Sequence, residues 1–181
     1  MTSALLVIDI QNDYFPGGKM ELVGSPEAAR NASRIQRKFR EAGLPVIHVQ
    51  HIALSPSATF FLPDTYGAEI NETVYPLGDE PVVVKHFPNA FRETKLQGIL
   101  TQHAVTELTV VGMMTHMCID TTVRAAHDAG LDVTLVGDAC ATKDLAFDGA
   151  MADAASVQIA YLAAIDGSFA TVISTSAMVG E

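Results

Sequence analysis

Thr109-Val110-Val111-Gly112-Met113-Met114-Thr115-His116-Met117-Cys118-Ile119-Asp120-Thr121-Thr122-Val123-Arg124 is the stretch on which the fold turns. Its apolar β-branched start stops at Gly112, and a helix-compatible segment begins near Met117 and runs through Arg124 towards Gly130. A buried strand handing over to a helix is the building unit of an α/β protein. Cys118 falls at the handover, in the first turn of the expected helix, where free amide N–H groups and the positive end of the helix dipole converge. Such a setting lowers a thiol's pKa and can cradle an oxyanion. The plainer role for a free cysteine is that of a small buried hydrophobe.

Outward from this stretch the same alternation continues in both directions. Towards the amino terminus, Ala4–Ile10 is a near-continuous apolar run, as expected of a strand buried on both faces of a parallel sheet. Ser25-Pro26 reads as an N-cap with proline at the first helical position, opening a helix to about Glu41 that Gly43 ends. Further strands are expected at Val46–Gln50, Val82–Val84 and Leu108–Val111, with a helix at Thr94–His103. Beyond the central stretch come a strand at Val133–Val136, a long Ala-rich helix over Asp148–Ile165 and a last strand at Ala170–Ser174. Residues 52–80, carrying Pro56, Pro63, Gly67, Pro76 and Gly78, form the one long irregular segment, expected to be a lid or a substrate wall. The pattern predicts a single domain over 1–181: an open, six-stranded, mostly parallel sheet with helices on both faces, a Rossmann-like three-layer sandwich.

Composition narrows the function. A chain of 181 residues, 49% hydrophobic and 18% charged, suits a compact globule. Its formal charge of −10 argues against nucleic acid or an anionic membrane as a partner, since both need basic patches. Met1-Thr2-Ser3 has no basic leader character, and apolar stretches such as Val157–Ile165 are too short to span a bilayer. With only Cys118 and Cys140 available, reduced thiols and a cytoplasmic location are expected.

In sheets of this kind ligands bind beyond the carboxyl ends of the strands, where strand order reverses. Asp9 closes the first strand, Lys85 follows the third and Cys118 follows the fourth. Each has a bland explanation, a turn cap, a solvated edge or a core thiol. Together they supply an acid, a cation and a nucleophile: an aspartate can take a thiol's proton, and a lysine steadies both anions. Cys140, at the end of the fifth strand, lacks such partners and reads as structural.

Four segments, Val7–Tyr14, the Pro16-Gly17-Gly18 turn, Val83–Phe91 and Gly112–Cys118, resemble the isochorismatase-like cysteine hydrolases, among them nicotinamidases and N-carbamoylsarcosine amidases. The resemblance covers nearly the whole chain and its motifs match in order. It implies an Asp9–Lys85–Cys118 triad, a cis peptide at Met113-Met114 and an oxyanion hole at the backbone N–H groups of Met114 and Cys118. It further implies hydrolysis of a small carboxamide, ureido or carbamoyl substrate through a thioester, with assembly as a homodimer or homotetramer. Asp138–Thr142 also resembles a family stretch near the site, which leaves a supporting role for Cys140 open.

The sequence departs from the metal-binding nicotinamidases in one place. Where they carry Asp-Trp-His after the second strand, the corresponding residues here are Gln50-His51-Ile52. Gln50 is a poor ligand and Ile52 has no ligand atom, so neither a metal nor any other cofactor is expected. His48 and His51, three apart on a strand, face opposite sides. Gln50 or His51 is instead expected to hydrogen-bond substrate, with Tyr14, Phe87 and Phe91 as apolar pocket wall. Two other classes compete: an isochorismatase-type vinyl-ether hydrolase, whose members lack the cysteine, and a non-catalytic interaction module, which would have no use for an intact triad.

Overall fold

The computed structural model describes residues 2–181. Six strands, β1 (Thr2–Ile8), β2 (Val46–His51), β3 (Val82–Lys85), β4 (Val105–Met113), β5 (Asp132–Ala141) and β8 (Thr171–Ile173), form one sheet in the order β3-β2-β1-β4-β5-β8. Every neighbouring pair is parallel. The chain builds outward from β1 to β3, then returns to the other side of β1 with β4, so the order reverses between β1 and β4.

The apolar run of β1 is buried on both sides because its side chains alternate. Ala4, Leu6 and Ile8 enter one core, with Leu96 and Leu100 of α2 (Leu96–Gln102) and Val123 and Ala126 of α3 (Asp120–Asp128). Leu5 and Val7 enter the other, with Ala28, Ala32, Ile35 and Phe39 of α1 (Ser25–Glu41). Helices α4 (Ala154–Ile165) and α5 (Thr175–Val179) complete the two outer layers. The three-layer α/β sandwich expected from the alternation is therefore what forms. No helix among the described residues is long and apolar enough to cross a membrane.

Gly112 holds the two central strands together. Its φ of +134° is open to glycine, and a Cβ there would collide with the Ile8 carbonyl oxygen.

Three local expectations are corrected. Gly24, in the left-handed region at φ 76°, caps α1; Ser25 is already helical and its hydroxyl has no partner among the described residues. The Ala-rich helix starts at Ala154, capped by the Asp153 carboxylate on the Ser156 amide. Residues Asp148 and Gly149, both at positive φ, instead turn a small antiparallel hairpin of β6 (Leu145–Phe147) and β7 (Ala150–Ala152). Left-handed Asp-Gly is a hairpin signal that outweighs alanine content. Finally, α3 begins at Asp120, and Thr115–Ile119 forms a π-helical turn ahead of it.

Residues 52–80 carry only two short 3-10 turns, Tyr66–Ala68 and Glu72–Val74. The segment is nonetheless tied down on residues 10–14: Asn71 donates to the Ile10 carbonyl, Asn12 to that of Glu69, and Gln11 bridges Ile70.

Candidate active site

Asp9 follows β1 directly and is held at φ 50°, a left-handed conformation costly for a non-glycine residue. Its amide is engaged by the Val49 carbonyl of β2 at 3.0 Å. Lys85 ends β3, in register with His51 on β2. Cys118 lies in the π-helical turn after β4. Strand ends on both sides of the reversal point thus deliver all three side chains to one place.

At that place the Lys85 ammonium is the hub. It lies 2.7 Å from Asp9 Oδ2, 2.8 Å from His51 Nδ1 and 3.3 Å from Cys118 Sγ. Asp9 and Lys85 are fully buried, and Cys118 keeps 4% of its surface. Neither Asp9 oxygen takes a hydrogen bond from the described residues; Oδ2 meets Lys85 as an ion pair. A buried ion pair of this sort contributes little net stability, because desolvation offsets the attraction.

The electrostatics differ from the expectation of a lowered thiol pKa. Burial pushes the Cys118 thiol up, the Asp9 carboxylate pushes the same way, and the Lys85 ammonium only partly opposes them. Cys118 also precedes the α-helix instead of opening it, so the dipole argument made for its first turn does not carry over. The thiol is protonated at rest, with a carboxylate beside it. Lys85 loses from burial but gains more from Asp9 and Cys118, so its pKa is raised and its charge secure. His51 is lowered to about 4, by burial first and by Lys85's charge second. It is a neutral imidazole near pH 7.

The Met113–Met114 peptide bond is cis. The Met114 carbonyl accepts the amides of Met117 (3.0 Å) and Ile119 (3.2 Å) but not that of Cys118 between them. Tyr14, completely buried, stacks at a tilt on Phe61, ring centroids 4.6 Å apart, and lies 6.0 Å from Phe60. Burial first, and then the proximity of Cys118, Asp9 and Asp13, hold its phenol well above the usual range, which places Tyr14 beside the triad.

Other expected contacts have different partners. The Gln50 side chain donates to the Ala68 carbonyl at 2.8 Å, bracing the long loop. Phe87 is covered by the Arg92 guanidinium, 3.6 Å from its ring centroid. Phe91 packs half-buried against the core beneath α2 and α3. His48 turns to the opposite side of β2 from His51, against Glu80 at 3.0 Å and Gln36 at 3.3 Å. Cys140 is buried, its thiol pushed up to about 12 by that burial, and donates to the Val136 carbonyl.

Sequence reasoning missed Phe60, Phe61 and Asp13. The Phe61 ring is 6.0 Å from that of His51, and its amide donates to Asp13 Oδ2 at 2.7 Å. Asp13 Oδ1 takes the Lys19 amide at 3.1 Å, and Gly67 lies so close that a Cβ would overlap the carboxylate. The available signal was the adjacent aromatic pair Phe60-Phe61 inside the long irregular segment.

Asp9, His51 and Cys118 each offer a ligand atom, all within 4.8 Å of one another. Lys85 already stands within 3.3 Å of all three, so a resident cation would have to face or displace an ammonium. The donor set does not fit a metal.

Residues 3–177 match the isochorismatase domain. The chain belongs to the isochorismatase family. The family protein YddQ of Bacillus subtilis is 52% identical over 98% of both chains. An isochorismatase-family hydrolase structure from Oleispira antarctica superposes with a TM-score of 0.95 at 44% identity, covering 99% of this chain and 97% of its own. Nicotinamidase 3 of Arabidopsis thaliana is 32% identical over 77% of this chain and 73% of its own. The hub described here thus lies in an isochorismatase-family hydrolase, at the sheet position where open α/β folds bind ligands.

Proposed function

We propose that this isochorismatase-family hydrolase is a cysteine amidohydrolase acting on a small carboxamide, ureido or carbamoyl compound. One observation carries the proposal: a single buried ammonium touches a carboxylate and a thiol at once. That arrangement has no structural benefit to justify its desolvation, and it suits acyl transfer.

Because the thiol is protonated at rest, attack is base-assisted. Asp9 takes the Cys118 proton as Sγ bonds to the carbonyl carbon. The negative charge that develops on oxygen is held by the Met114 and Cys118 amides, the latter passed over by the Met114 carbonyl. Lys85 stays charged throughout and offsets whichever partner is anionic. As the C–N bond breaks, Asp9 gives its proton to the departing nitrogen, releasing ammonia or an amine. Water then cleaves the thioester, freeing the acid and restoring the thiol. Tyr14 and Phe61 supply apolar wall, and the neutral His51 keeps Nε2–H as a donor for substrate.

Cys118 in direct contact with the hub disfavours vinyl-ether hydrolysis, which has no need of a thiol. The expected homo-oligomer also belongs to the proposal. Helix α4 carries no charge in its twelve residues and exposes 70% of Ile159, while the hairpin exposes Phe147 and Met151. Reduced, buried Cys118 and Cys140 fit a cytoplasmic setting. A screen of small amides, ureas and carbamoyl compounds for ammonia release tests the proposal. Release by wild type and its loss in Cys118→Ser is expected; release undiminished in Cys118→Ser would overturn it.

A further inference from the structure

A lysine ammonium has three N–H donors; here it hydrogen-bonds to His51 Nδ1 and Cys118 Sγ and forms an ion pair with Asp9 Oδ2 at 2.7 Å. His51 lies outside the Asp–Lys–Cys set. We infer that His51 is a positioning residue, whose Nδ1 takes one ammonium proton of Lys85 and thereby holds the ammonium against Asp9 and Cys118. The inference rests on the nucleophilic role proposed for Cys118.

His51 is built for that task. Its amide donates to Gln11 Oε1 at 2.7 Å and its carbonyl accepts from Gln11 Nε2 at 2.9 Å, so one buried side chain clamps its peptide on both sides. Strand register sets it opposite Lys85, and the next amide, Ile52, donates back to the Lys85 carbonyl at 3.0 Å. The direction of the hydrogen bond settles the tautomer. A charged Lys85 can only donate, so Nδ1 must be bare and the ring proton sits on Nε2. The groups facing the ring are consistent with a neutral imidazole. Lys85 and His86 oppose a positive charge there and Asp9 alone favours it, with burial outweighing Asp9.

Without His51 the ammonium would hold one desolvated, unpartnered N–H. It could recover a partner only by rotating away from Asp9 or Cys118, or by losing its proton. Either change withdraws the cation that the forming thiolate depends on. An asparagine at the same position would keep an acceptor, since its Oδ1 falls near where Nδ1 stands.

The test needs no knowledge of the substrate. Iodoacetamide alkylation of Cys118 is followed by peptide mapping at neutral pH in wild type, His51→Asn and His51→Leu, with circular dichroism to confirm folding. The leucine variant is expected to label roughly tenfold or more slowly, the effect of one lost charge-assisted hydrogen bond, while asparagine stays within about threefold of wild type. Should the leucine variant fail to fold, His51→Gln, whose acceptor is displaced towards Nε2, is expected to show the same slowing. Wild-type rates in leucine or glutamine, or equal slowing in asparagine, would overturn the positioning role. Wild-type Cys118 labelling no faster than Cys140 would overturn the nucleophile assignment itself, and the inference with it.

Discussion

At the scale of single residues, the site is a balance of one cation against two potential anions. If Asp9 shuttles the proton, Asp9→Asn lowers turnover by roughly 10²- to 10⁴-fold while the fold persists, because the side chains are nearly isosteric. Ammonia release by the purified variant checks this, and retention of most activity would remove Asp9 from the chemistry. Lys85→Met acts differently: it leaves the Asp9 carboxylate buried without its cation, and a loss of about 3–5 kcal/mol in urea unfolding is expected. Titration of His51 and Glu80 shapes the acid limb of stability. His51 is lowered to about 4, so from its ordinary 6.5 down to that value the unfolded chain takes up a proton the folded one refuses. Burial pushes the Glu80 carboxyl up, but Arg40, the Leu77 amide and His48 hold it down to about 2. Below 4.5 it too favours the unfolded chain. Both signs agree, so the thermal midpoint should fall continuously from pH 7 to pH 3; a flat profile across that range would contradict the assignment. Much of this was legible in the chain. Asp9, Lys85 and Cys118 lie at or just beyond the ends of strands β1, β3 and β4, and a parallel sheet brings such ends together. The thiol's raised pKa was not legible, because it depends on how completely the site is desolvated and on how near Asp9 lies.

At the scale of elements, the long loop is held by contacts that no local pattern reveals. Asp13 and Phe61 are 48 residues apart, and one carboxylate joins them while also holding the Lys19 amide. Phe61 itself sits at φ 54°, a conformation its own sequence neighbours do not predict. Asp13→Ala therefore removes two charge-assisted bonds, together worth about 3–6 kcal/mol as an upper bound, and frees the segment around Phe61. Hydrogen exchange should rise first at residues 53–62, ahead of the sheet; uniform exchange across the chain would argue that Asp13 acts on global stability alone. The same dependence on distance explains the role of His51. Its identity was plain, but its partner follows from the β2–β3 register, which sets His51 opposite Lys85. The helix boundary at Ala154 was misplaced for a different reason. Alanine content favoured an earlier start, while Asp148 and Gly149 at positive φ favoured a turn, and the turn won.

At the scale of the whole molecule, two layers of helices on a parallel sheet follow from the alternation of apolar runs, and every strand expected from the sequence is present with adjusted ends. The outer surface is less ordinary. Phe147 and Met151 are 87% and 72% exposed on a hairpin, close in sequence to the uncharged helix α4. Apolar surface of this kind marks contact sites. Light scattering at micromolar protein should give a multiple of 19.3 kDa, and Phe147→Glu should shift it towards the monomer; a monomeric wild type would refute the assembly.

In the proposed reaction Cys118 carries the acyl group. Intact-mass and peptide mass spectrometry, on protein quenched during turnover of whichever amide releases ammonia, tests it most directly. An adduct equal to the substrate's acyl group is expected on the Cys118 peptide, absent from Cys118→Ser together with turnover. Ammonia release at the wild-type rate from Cys118→Ser would contradict it.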